Sequence, residues 1–120
     1  MKSLYKVIIS AILVSMWGNA YSQVDCTGTV DNLSLQLNSV GTVTISLSGG
    51  PTATYLCDVD GTSARNGVSP TVCRTMFSTL LTAKTTGKKV LIRFQDYTSC
   101  SAVPAWANAG TVGWTQLLLN

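Results

Sequence analysis

The chain has 120 residues, with eight Lys and Arg against five acidic residues, every one an Asp, and it contains neither His nor Glu. The usual general acids and bases are therefore almost absent, and no residue is assigned as catalytic, cofactor-binding or metal-ligating. Setting aside Lys2 and Lys6 in a basic leader leaves a charge near balance, which gives no support to a nucleic-acid partner.

The first 22 residues, MKSLYKVIISAILVSMWGNAYS, have the form of a secretory signal. Lys2 and Lys6 supply the basic start, the run from 7 to 17 is apolar, and the small residues Ala20 and Ser22 stand where a signal peptidase reads. Cleavage is expected between Ser22 and Gln23. The apolar run is shorter than the roughly 20 residues a spanning helix needs, so no membrane span is expected afterwards. Residues 23–120 then form one domain, exported to the periplasm or secreted.

Period-two alternation marks the first strands. Leu33, Leu35 and Leu37 alternate with Ser34 and Gln36, and Val43, Ile45 and Leu47 alternate with Thr44 and Ser46. The turn chemistry of 38–41 (NSVG) joins them, Gly49-Gly50-Pro51 ends the second, and a third strand is expected at about 52–58. The period then changes. Ser69 and Pro70 make an N-cap and first helical residue, and Cys73, Met76, Phe77, Leu80, Leu81 and Lys84 fall on one face of a helix over 70–86. Gly87 is the expected left-handed stop, with Lys84 in the last turn favourable to the helix dipole. A strand over 88–95, a connection carrying Cys100 and Trp106, and a strand over 111–119 complete the order βββ-α-ββ. That order is mostly β with one helix and is expected to form a small OB-like Greek-key barrel; an α+β sandwich would give the same string.

Four cysteines in an exported domain of this size read as two disulfides. Their wide spacing fits neither a CxxC redox turn nor a zinc site. Three connectivities are open. Cys57–Cys73 with Cys26–Cys100 is preferred, because Cys57 ends a strand and Cys73 opens the helix, so that their bond docks one on the other. The DVDG stretch at 58–61 has the look of a calcium-loop opening, yet there is no Glu to complete one, and a solvated turn is expected. Ser and Thr are abundant, but Lys84, Lys88 and Lys89 sit in no motif that would activate a hydroxyl. Among the aromatics, Phe77, Phe94 and Trp114 are expected in the core. Trp106 and Tyr97, in a loop and at a strand end, are the candidate ligand contacts, with barrel capping the competing role for Trp106.

Taken together, Tyr55-Leu56-Cys57, Val72-Cys73, the F-x-x-L-L segment from Phe77 to Leu81 with Ala83, and Thr86-Gly87-Lys88-Lys89-Val90-Leu91-Ile92 resemble the B subunits of subtilase cytotoxin and typhoid toxin. A set of small exported proteins of Gram-negative bacteria shares the same Cys and T-G-K pattern. The resemblance runs from Tyr55 to Phe94. It implies an exported OB-fold subunit that assembles as a homo-oligomeric ring and binds a glycan without catalysis, with Cys57–Cys73 as the family's one intrachain disulfide. Cys26–Cys100 is then an additional pair. The family's sugar-contacting residues lie in its N-terminal half, where this sequence shows no match, so none is carried over. The alternative is a periplasmic or envelope-associated structural protein without a glycan site.

Overall fold

The computed structural model describes residues 22–119, so the expected signal peptide lies outside the described residues apart from Ser22. Five strands and one long helix follow one another as β1 (Val24–Gln36), β2 (Thr42–Leu47), β3 (Thr54–Asp58), α1 (Pro70–Thr86), β4 (Lys89–Phe94) and β5 (Val112–Leu117). A single 3-10 turn, Cys100–Ala102, lies between β4 and β5. The described residues are thus mostly β with one helix, in the expected order.

The first strand is much longer than its leucine alternation predicts. Cys26, Gly28 and Val30 point inward, then a bulge at Asp31 shifts the phase by one, and Leu33 and Leu35 become the half-buried set. A bulge inserts one residue into one strand, so an even-numbered inward face becomes an odd-numbered one. Lys84 from the last turn of α1 donates to the Asp31 carbonyl at 2.8 Å, giving the bulge a partner. Leu37 falls past the end of β1 and is 93% exposed, outside the face its spacing assigned to it.

The bulged strand serves two sheets. Its first half pairs antiparallel with β4, from Val24 opposite Phe94 to Thr29 opposite Lys89, and its second half pairs with β2, from Val30 opposite Leu47 to Gln36 opposite Thr42. Gly28 sits at the crossing, where a Cβ would lie 2.5 Å from the Ser48 carbonyl oxygen, so a side chain there would push β1 away from the end of β2. The full order is β3-β2-β1-β4-β5, every pair antiparallel.

As a sheet of named strands this is open between β3 and β5, and other backbone spans the gap. Tyr55 of β3 pairs parallel with Asn108, its N–H donating to the Ala107 carbonyl and its carbonyl accepting from the Ala109 N–H. Beyond that point a tight turn, Arg65-Asn66-Gly67-Val68, wedges into the gap. Positive φ at Asn66 and Gly67 is what a two-residue hairpin turn requires, and Asn-Gly supplies it at least strain. The Asn66 side-chain amide donates to the Tyr55 and Leu56 carbonyls, and the Asn66 backbone carbonyl accepts from the Val112 N–H of β5. The architecture is an OB-like barrel whose last joint is a turn in place of a strand pair.

The helix has the expected bounds and caps. Ser69 Oγ accepts from the Val72 N–H, Pro70 opens the first turn, and Gly87 ends the helix at φ 68°. Cys73, Met76, Leu80 and Ala83 are buried and Phe77 is half-buried, while Leu81 is 46% exposed and lies outside the core its spacing suggested. Phe94, Ile45, Leu56, Leu80 and Ile92 form the fully buried centre between helix and barrel, each contributing roughly 1.5–3 kcal/mol of burial.

Both disulfides have the preferred pairing. Cys57–Cys73 fixes the end of β3 to the first turn of α1, and Cys26–Cys100 fixes the start of β1 to the 3-10 turn, each with Cα atoms 5.7 Å apart. Two such bonds in a domain of this size belong to an oxidising, exported environment.

Candidate functional site

Among the described residues a concavity lies where α1 passes β5. It is a groove of about 400 Å³, with Val72, Thr75, Met76 and Thr79 of the helix on one side and Val112 to Thr115 of β5 on the other. The Asn66-Gly67 turn that seals the barrel also brings Gly67, Val68 and Ser69 to its margin. This volume falls in the range of small-molecule sites.

Trp114 is the large side chain of this groove, and a second bulge puts it there. The β4–β5 register passes from Ile92 opposite Thr115 to Phe94 opposite Val112, so Gly113 and Trp114 together face the single residue Arg93. Val112 is buried, and simple alternation would turn Trp114 inward beside it. The extra residue reverses the phase, so that Thr115 and Leu117 are the half-buried pair and Trp114 is 45% exposed. Its expected place in the core is therefore wrong. The sequence did hold a signal, since a lone Gly before an aromatic inside a strand pattern marks a bulge.

Trp114 is held on its outward course by charge. The guanidinium carbon of Arg93 lies 3.6 Å from the indole ring centre. Arg93 in turn donates from Nε and a terminal nitrogen to the two carboxylate oxygens of Asp25, at 2.6 and 2.9 Å. The hydrogen bonds from Arg93, aided by its charge and opposed by partial burial, hold the Asp25 carboxyl below its ordinary pKa, and the same pairing raises that of Arg93. Gly113 makes room for this arrangement, because a Cβ there would meet the Arg93 side chain at 3.1 Å.

Trp106 and Tyr97 lie elsewhere. Trp106 is 67% exposed on the β4–β5 connection, at φ 55°, its N–H donating to the carbonyl of Ala53, itself at φ 44°. Positive φ is strained for a bulky side chain, and here it presents the indole to solvent. Tyr97 is half-buried and packs against the core. Neither lines the groove. The DVDG carboxylates are engaged in the protein: Asp58 is buried and accepts from Thr42 Oγ1 at 2.8 Å and Arg65 Nε at 2.9 Å, and Asp60 pairs with Arg74 at 3.2 Å. Arg65 also donates to Asn108 at 2.6 Å, so Asp58 at the end of β3 and Arg65 brace the barrel joint, while Asp60 and Gly61 between them are exposed, as a solvated turn requires.

No family model, curated protein or solved structure matches this chain. The chemistry of the groove is therefore the guide. It offers an aromatic face, apolar side chains and threonine hydroxyls, a set suited to stacking and hydrogen bonding.

Proposed function

We propose that this is an exported, non-catalytic binding domain that recognises a carbohydrate in the groove between α1 and β5. The observation that carries the reading is Trp114, turned out of the barrel by a bulge and pinned by Arg93 beside a hydroxyl-bearing groove. A sugar ring has one face of C–H groups that stacks on an indole and an edge of hydroxyls that hydrogen-bonds. OB barrels include oligosaccharide binders, and the resemblance to toxin B subunits points the same way. The domain would act in the periplasm or after secretion, and a homo-oligomeric ring is the assembly the resemblance implies.

Titrating the mature chain, residues 23–120, with a glycan panel while following tryptophan emission tests this. Binding that disappears in Trp114→Ala and persists in Trp106→Ala supports it, and silence across the panel refutes it. Light scattering separately reports whether a ring forms.

A second reading, an envelope-associated structural protein, is favoured by a different observation. Leu37, Trp106 and Leu119 are 93%, 67% and 76% exposed, which suits contact with a protein or another envelope component. A monomer that binds no glycan but is retained on isolated cell envelopes, and loses that retention on Trp106→Ala, would select it.

A further inference from the structure

We infer that the ligand unit held in the α1–β5 groove is a neutral sugar, and that the Arg93–Asp25 pair orients Trp114 without receiving an acidic group. This rests on the carbohydrate reading above and narrows it.

The lining of the groove contains no Asp, Lys or Arg. Its polar side chains are hydroxyls, those of Ser69, Thr75, Thr79 and Thr115. Thr79 Oγ1 donates to the Thr75 carbonyl at 3.0 Å and keeps its acceptor capacity, whereas Thr115 Oγ1 is buried on the inward side of β5.

An acidic sugar would need a cation here, and the nearby cations are committed. Arg93 spends two donors on Asp25, which balances its charge, and one face on Trp114. On the helix, Arg74 pairs with Asp60 and Lys84 donates to the Asp31 carbonyl. A carboxylate placed among Val72, Met76 and Val112 would lose its hydration with no charged partner to replace it. Hydroxyls meet no such penalty, because Thr groups both donate and accept.

Calorimetric titration of the mature chain compares lactose with 3′-sialyllactose, and adds neutral manno- and chito-oligosaccharides, at 50 and 300 mM NaCl. The expected result is that a neutral saccharide binds, that sialylation of the same core brings no gain, and that Kd moves less than about twofold with salt, since no charge is exchanged. Trp114→Ala, checked for fold by circular dichroism, should weaken binding at least about tenfold. Tenfold tighter binding of the sialylated form, with a steep salt dependence, overturns the neutral assignment and leaves the carbohydrate reading standing. Neutral binding that Trp114→Ala does not affect overturns the groove as its place. Silence toward every saccharide overturns both.

Discussion

Arg93 joins Asp25 to Trp114: its guanidinium carbon lies 3.6 Å from the indole ring centre while two of its nitrogens donate to the carboxylate oxygens of Asp25 at 2.6 and 2.9 Å. Asp25 is on β1, Arg93 on β4 and Trp114 on β5, so one side chain couples three neighbouring strands on the outside of the barrel. The position of the indole therefore depends on a carboxylate two strands away.

That dependence gives a pH test. The folded pKa of Asp25 is depressed, chiefly by the Arg93 hydrogen bonds, so the pair contributes fully above the ordinary carboxylate value of 3.8 and is lost as pH falls through the lower folded value. Trp114 emission should be flat from pH 7 to the ordinary carboxylate value and change below it. In Asp25→Asn the altered emission should already be present at pH 7, with the acid step gone.

Gly113→Ala tests the geometry from the other side. The new Cβ would meet the Arg93 stem at 3.1 Å and the Gln95 amide at 2.9 Å, so the stem has to shift by a few tenths of an ångström, which should loosen its stack on the indole. Losing the stack should lower stability by about 0.5–1 kcal/mol in urea unfolding, the scale of a partly exposed cation–π contact. An unchanged Trp114 spectrum would show that the stem crosses freely.

Asn66→Ala and Asn66→Gly together test the barrel joint. Asn66 holds φ 55° and donates to two carbonyls of β3. The Ala variant loses both the left-handed preference and the hydrogen bonds, and should be destabilised by about 1–3 kcal/mol. Gly restores the backbone freedom only, so it should recover part of that loss. In both, the Val112 amide should exchange with solvent faster, because its acceptor is the Asn66 carbonyl.

The disulfides differ in the loops they close, 16 residues for Cys57–Cys73 and 74 for Cys26–Cys100. In the chain-entropy model their removal as Cys-to-Ala pairs should cost about 3 and about 4 kcal/mol respectively. Urea unfolding of the two double variants measures this, and non-reduced peptide mapping checks the pairing itself.

How far the sequence revealed this fold depends on how local each signal is. Ser69, Pro70 and Gly87 act within a turn of where they stand, and α1 has the bounds they set. Cys57 and Cys73 are bracketed by a strand end and a helix start, so their pairing was legible too. The two bulges were not read, although Gly113 inside a strand pattern marks the second. Each inserts one residue into an alternating pattern, which hid the first half of β1 and placed Trp114 on the wrong face. The role of Arg65 and Asn66 was invisible for another reason: their partners, Asn108 and Val112, are more than forty residues further along the chain and become neighbours only when the barrel forms. The groove is a product of that same joint, which is why the sequence pointed to Trp106 and Tyr97 instead.

The most direct test of the proposed carbohydrate groove uses the two tryptophans of residues 23–120, Trp106 and Trp114, which give two indole N–H signals in a nitrogen–proton correlation spectrum. Titration with the neutral oligosaccharide panel should move the Trp114 indole together with the amides of Thr75, Thr79 and Thr115, and leave Trp106 in place. Movement of Trp106 alone, or of neither indole at millimolar saccharide, would contradict it.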